Sequence, residues 1–535
     1  MTKAQIIIVL SFILIAISCQ RMTEKKQDKI FIYNETTGVS SLDPIQAKNQ
    51  ANMWPVHQLF NTLIEVDENL NFKPSIAKSW VFEANGKRIA FTLRNDVYFH
   101  DDPAFKNGKG RLLNASDVCY SLSRLIDPQS ASPGAWVLNE LVDSIQPFSA
   151  PNDSVFVITL RNPLSSIFGL LSMPYCSILP KEAVEKYGNE FGRHPVGSGP
   201  FRFLSWHENQ AITLSKNEHY FEKDSSGTKL PYLNGVQITF LPGKSAEFIA
   251  FQQKKIDFIN DVDPSFKDEL LTKTGKLKRK WEGEIKLKKS GYLNTEYLGI
   301  KMNLPKQSLF SDIHFRKAIN HAIDRKKLLF YLRNSIGIPA NKGFVPAGLN
   351  SFYVKEVVDL YNPSLSKKHL DSSGYLRSNP STIVLSTVPT YASLGSFIVS
   401  ELKKIGIDSR VDVVQKSVLL DQMSSGNVLF FRGSWIADYP DPINYFSVLY
   451  GKNPSPPNYT RFKNDHYDFL YESAQTELSH SKRDSFYNLM EAIINDEVPL
   501  IPLWYDQVLH FYQNNLINMK PNPLNMLELK KVSKK

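Results

Sequence analysis

Four side chains between Phe430 and Pro442 have types and spacing suited to holding a small charged molecule: Arg432, Trp435, Asp438 and Tyr439. They follow an apolar run, Asn427 to Phe431, that reads as a buried strand, and they end at Pro440 and Pro442, which stiffen a turn. In a strand, residues two apart share a face and each residue advances about 3.3 Å. Arg432 and Asp438 are six positions apart, so a cation and an anion could meet opposite ends of one extended zwitterion. The plainer alternative is a loop carrying one solvated ion pair.

Catalytic chemistry is poorly provided for. Gly197-Ser198-Gly199 lacks the strand, elbow and helix of an activated serine, because Pro200 follows at once and a strand-like run comes next. The 11 histidines include no His-Glu-x-x-His pattern and no paired metal spacing. His314 and His321 lie seven apart on a helix that reads as scaffold, and no phosphate-binding P-loop is present. No catalytic residue, metal ligand or cofactor site is therefore assigned.

At 535 residues the chain exceeds one compact core, and two or three domains are expected. Hydrophobic content of 42% and charged content of 22% are ordinary for a soluble globular protein. The formal charge of +10 gathers partly at the ends, in Lys3, Arg21, Lys25, Lys26 and Lys29 and in Lys530, Lys531, Lys534 and Lys535. Those terminal lysines read as lying outside any fold. No basic block with interleaved aromatics occurs in the interior, which argues against nucleic-acid binding.

The first residues read as an export leader. Lys3 precedes the apolar run Ile6 to Ile17, which is shorter than the ~20 residues that span a bilayer. Ala16-Ile17-Ser18-Cys19 resembles a bacterial lipoprotein box, with Ala16 where Leu is usual. Cys19 is then the lipidated first residue of the mature chain, and residues 19–29 are a polar tether. Cys119 and Cys176 remain beyond it, too few for a disulfide framework, with a bond between them left open.

Further along, Lys29–Tyr33 and Arg88–Arg94 read as strands, and Trp54–Ile64 has apolar residues at helical spacing. Asn114-Ala115-Ser116-Asp117 offers capping side chains to a following helix. Phe315, Ala318, Ile319, Ala322 and Ile323 form one helical face. Thr382–Val388, Ser393–Lys404 and Asp408–Val414 read as a βαβ unit, with Gly406 stopping its helix, and Asn427–Phe431 follows it. Ligands collect outside the carboxyl ends of such strands. A helix around Phe486–Ile494 and a last strand, Pro499–Tyr505, close the pattern.

Several segments, in order, resemble the family 5 extracellular solute-binding proteins, the dipeptide and oligopeptide receptors of ABC importers. They include Ser41-Leu42-Asp43-Pro44, Pro74 through Trp80, Phe91 through Val97, Asn114 through Val118, Pro195 through Phe203, Leu214 through Phe221, Lys255-Ile256-Asp257 and Asp312 through Arg325. The likeness runs from about Ile32 to Leu503, with the family region proper at about 70–455.

That resemblance implies an α/β, bilobal periplasmic-binding-protein fold of type II in its large three-domain form. It implies lobe I from 30–52, 197–291 and 501–535, an extra domain from 53–196, and lobe II from 292–500, after a signal peptide at 1–18. It assigns Asp438 to a peptide's α-ammonium and Arg432 to the neighbourhood of its carboxylate. Trp435 and Tyr439 become pocket walls, while backbone groups of Ser434, Ile436, Gly38, Val39 and Ser40 pair with the peptide main chain. Ser434 stands where oligopeptide receptors often have Gly, and Gly38 where some carry an acidic residue. The implied partners are short peptides, ABC permease subunits and the membrane, through the lipid anchor. A monomer, exported to the periplasmic side of the envelope and not an enzyme, is expected. The alternatives are a receptor for a non-peptide solute, such as a metal chelate or glycan, and a peptide hydrolase.

Overall fold

The computed structural model describes residues 29–346, 348–349, 360–375 and 382–535. The expected leader, Cys19 and all of the tether but Lys29 lie outside the described residues. The elements that organise the site are strands β1 (Ile30–Asn34), β2 (Ala77–Glu83), β3 (Arg88–Leu93), β4 (Phe148–Asn152), β5 (Val155–Thr159), β6 (Phe201–His207), β7 (Ala211–Lys216), β8 (Gly235–Thr239), β9 (Phe258–Asn260), β10 (Ile285–Ile300), β11 (Ile383–Thr387), β12 (Ser409–Val413), β13 (Phe430–Ile436) and β14 (Leu500–Gln513).

Two long antiparallel strands, β10 and β14, hold the two halves of an eleven-stranded sheet together. One half continues β14-β9-β1-β8-β7-β6, and the other continues β10-β13-β11-β12. The β10–β14 ladder is irregular between Gly291 and Thr295, where the chain passes from one half to the other. A separate four-stranded sheet, β2-β3-β5-β4, stands beside the first half and shares its apolar core. In the second half, side chains alternate across the sheet. Tyr297 and Phe431 enter one core, and Leu298, Ile300 and Phe430 the other.

Capping explains where several helices begin. Asn114 and Asp117 form a reciprocal capping box at the head of the helix Ala115–Ile126, as their types predict. The apolar face of Ile313–Ala322 is buried, and Asp312 caps it. The helix expected over Trp54–Ile64 is instead α1, Gln50–Leu59, because Asn49 accepts from Asn52 N–H and starts it earlier. Ile64 then opens a short strand.

One displacement matters for the site. The strand expected over Asn427–Phe431 is β13, Phe430–Ile436. The preceding helix ends on Gly426 in the left-handed region (φ 79°), so the chain becomes extended only at Phe430. Arg432, Ser434 and Ile436 therefore lie within a strand rather than beyond one.

The carboxyl terminus corrects the expectation drawn from its charge. Lys530 is buried between Glu65 (2.9 Å) and Glu222 (2.7 Å), and Lys534 pairs with Asp257 at 2.9 Å. These lysines belong to the fold. Cys119 and Cys176 are both free thiols, the second buried.

A cleft floored by Asp438

A cavity of about 360 Å³ opens where the two halves of the large sheet and the segment Ser172–Ser177 meet. Its second-half wall is Ile436 through Pro440, the last residue of β13 and the four that follow it. Opposite stand α1 and the following turn, with Met53, Trp54, His57 and Phe60. Asn522, Leu524, Asn525, Met526 and Glu528, from the carboxyl-terminal segment, complete the first-half wall.

Asp438 is open to this cavity. Protein closes it off elsewhere, and that low-polarity surrounding raises its pKa, opposed only by a bond from Asn444. The Asn444 amide lies 3.5 Å from the carboxylate, a long contact. The same Asn444 accepts from the Trp435 indole N–H at 2.9 Å, so Trp435 and Asp438 are tied to one side chain.

Strand geometry sorts the other candidates. Ala437 N–H donates to Leu293 and Lys301 N–H donates to Leu429, so odd-numbered residues of this strand bond towards β10. By that alternation the main-chain groups of Ser434 and Ile436 point to the opposite edge. There β11 pairs with β13 at Ser386 and Phe431 only, leaving the edge beyond Phe431 without a strand among the described residues. Ile436 also lines the cavity. Trp435 falls on the other face with Phe431 and packs against the second-half core.

Tyr439 lines the cavity and also packs between both cores. Its ring lies against Gly169, where a Cβ would come within 3.0 Å of it, so any larger residue would push the ring away. Gly38, Val39 and Ser40 do not line the cavity. Val39 is buried, Gly38 sits in a turn at φ 71°, and Ser40 N–H donates to Asn52 at 3.1 Å.

Arg432 is engaged within the protein. Its guanidinium bonds the Glu296 carboxylate twice, at 2.8 and 2.6 Å, and lies 3.5 Å from the centre of the Tyr391 ring. Glu296 is 1% exposed, and its pKa is raised because burial outweighs the pull of Arg432. Nothing in the local sequence marks Glu296 as the partner.

Two further charged pairs around the cavity escaped notice in the sequence. His57 bonds Glu528, whose carboxyl is held at about 2: burial opposes ionisation, but His57 and Lys530 prevail. Glu65 is gripped by Lys530 and by Lys73 at 3.1 Å. Among the described residues, no group of three or more His, Cys, Asp or Glu side chains is arranged to hold a metal ion. Gly197 and Gly199 are packing residues, since a Cβ on either would strike main-chain oxygens at the end of α1. Ser198 between them is buried and donates to Asn61 at 3.2 Å.

This architecture and sequence are shared widely. The chain is 22% identical over 531 residues to the dipeptide-binding protein DppE of Bacillus subtilis, covering 94% of this chain and 91% of that protein. It is 25% identical over 508 residues to the probable deoxycholate-binding periplasmic protein YgiS of Escherichia coli, covering 90% and 89%. Its fold superposes on that of HbpA2 from Haemophilus parasuis with a TM-score of 0.83 at 20% identity, over 95% of this chain and all of that one. The model of the bacterial extracellular solute-binding proteins, family 5, matches residues 71–457, and the chain belongs to that family.

Proposed function

We propose that this protein captures short peptides outside the cytoplasmic membrane, by amino terminus and backbone, and delivers them to an ABC importer. The observation that carries the proposal is Asp438: a carboxylate facing a cavity, largely without partners among the described residues, just past a strand whose edge no other described strand covers. An ammonium supplies what that carboxylate lacks, and an extended main chain supplies what the edge lacks. Every peptide has both, so binding through them tolerates many sequences.

In this reading Asp438 takes the α-ammonium, and Ser434 and Ile436 pair with the peptide backbone. Trp435 holds Asn444, and through it Asp438, in position. Tyr439 walls the pocket and bridges the cores. Gly38–Ser40 approach the ligand only on closure, when 30–52, 197–291 and 501–535 move as lobe I against 292–500, with 53–196 as the extra domain. The irregular stretch of β10 between Gly291 and Thr295 supplies the hinge. The protein acts as a monomer without catalysis, exported by its leader and anchored through lipidated Cys19 on the periplasmic side of the envelope.

Calorimetric titration of wild type and Asp438→Ala with di-, tri- and pentapeptides tests the reading. Wild type binds at least one length, and the variant binds it about a hundredfold or more weakly. Equal binding by both proteins rules out the role of Asp438, and no binding by wild type rules out peptides. One observation favours a second ligand class. The cavity is rich in Met, Trp and Phe walls, and a relative is named for deoxycholate, an amphipathic acid. Titration with that bile acid separates the two.

A further inference from the structure

Resting on the peptide reading above, the geometry points to Lys48 as the anchor for the ligand's carboxylate. Asp438 and Lys48 then grip the two ends of one short zwitterionic peptide from opposite walls of the cleft.

A carboxylate entering this cavity meets mostly its own charge. Glu65, Asp67, Asp438 and Glu528 all line it. Among the described residues, Lys48 is the only Lys or Arg that lines it. Lys48 is exposed on the loop between a single turn at Pro44–Gln46 and α1, and its ammonium makes no ion pair among the described residues.

The cations that could compete are committed. Arg432 is held by Glu296, His57 by Glu528, Lys530 by Glu65 and Glu222, and Arg333 by Asp506 at 2.7 Å. The pattern therefore draws a ligand's carboxylate to Lys48, and the peptide reading gives its ammonium to Asp438. Because Lys48 stands on the first-half wall and Asp438 on the second, a ligand joined to both bridges the halves and favours closure. The cavity's 360 Å³ lies near the low end of the roughly 300–1,000 Å³ of small-molecule pockets, which suits two or three residues rather than a long peptide.

The test is calorimetric titration of wild type, Lys48→Met and Lys48→Arg with one tripeptide as its free acid and as its C-terminal amide. Wild type should prefer the acid by about tenfold. Lys48→Met should bind acid and amide alike, at the wild-type level for the amide, and Lys48→Arg should keep most of the preference. Because Lys48 is exposed and packs against no core, its variants should melt with wild type. Equal binding of acid and amide by wild type overturns the assignment, as does a preference that survives in Lys48→Met. Failure of wild type to bind either form, or any of the di-, tri- and pentapeptides above, overturns the peptide reading itself, a separate and recognisable result.

Discussion

The guanidinium of Arg432 is clamped by the carboxylate of Glu296, a residue 136 positions away, through bonds of 2.8 and 2.6 Å. The pair is almost wholly buried, and each member makes the other tolerable in a low-polarity site. The pair ties β13 to its neighbour β10, six residues before Asp438.

Removing one member should therefore damage stability rather than recognition. Arg432→Met leaves Glu296 without its cation, and the expected loss in urea unfolding is about 3–5 kcal/mol. The unpaired carboxyl, already raised by burial, rises further, so the loss deepens as pH increases. Adding Glu296→Gln should restore much of the stability. A variant unfolding at the wild-type midpoint while losing peptide affinity would mean that the arginine serves the ligand instead.

Asp438→Asn should behave in the opposite way. Burial raises the pKa of this carboxyl, so its ionised form costs the folded protein stability above the ordinary carboxylate range. The variant should melt no lower than wild type at pH 7. Ionised Asp438 is also the form that holds an ammonium, so wild-type affinity should fall as pH drops through the raised pKa. Asp438→Asn should lack that acid limb, which titrations from pH 4 to pH 7 would reveal.

Much of this was legible in sequence, and the remainder was hidden for physical reasons. The helix start at Asn114 follows from capping side chains a few residues from what they cap. The βαβ unit follows from periodicity, whereas Asp438 was singled out from its neighbours by the family resemblance and not by its spacing. Glu296 could not be found this way, because register between distant strands, Leu298 against Arg432, decides which side chains meet. The face taken by Trp435 depended on where β13 begins, and a start three residues later than expected was set by the left-handed Gly426. Lys530 read as solvated tail because nothing nearby announces Glu65 and Glu222. Lys48 carried no expectation, because only the folded cavity shows that it lines a wall otherwise bearing carboxylates.

The carboxyl-terminal segment is predicted to be integral to the cleft. Lys530 is buried, and although burial opposes its charge, Glu65, Tyr220 and Glu222 hold its pKa well above the usual lysine value. Lys530→Met leaves two carboxylates facing one another and should cost about 3–5 kcal/mol in chemical denaturation. It should also weaken ligand binding, because Met526 and Glu528 lose their anchor. An unchanged unfolding midpoint would refute the first part.

Glu491 gives a pH signature unrelated to the ligand. Burial pushes its carboxyl up to about 7, despite a 2.6 Å bond from Phe344 N–H. The folded state thus holds this proton more tightly than the unfolded chain, and stability falls as pH rises. The decline begins near the ordinary value of 4.5, reaches roughly 3 kcal/mol by about pH 7 and then levels off. Glu491→Gln should flatten that slope in unfolding free energies measured from pH 4 to pH 8. A slope of the same size in the variant would assign it to other groups.

Capture of a peptide by its amino terminus is tested most directly by one comparison. A tripeptide and its N-acetylated form, titrated calorimetrically into the wild-type protein at pH 7, differ in the α-ammonium that Asp438 is proposed to hold. The free amine should bind at least a hundredfold more tightly. Equal affinity for the two would contradict the account.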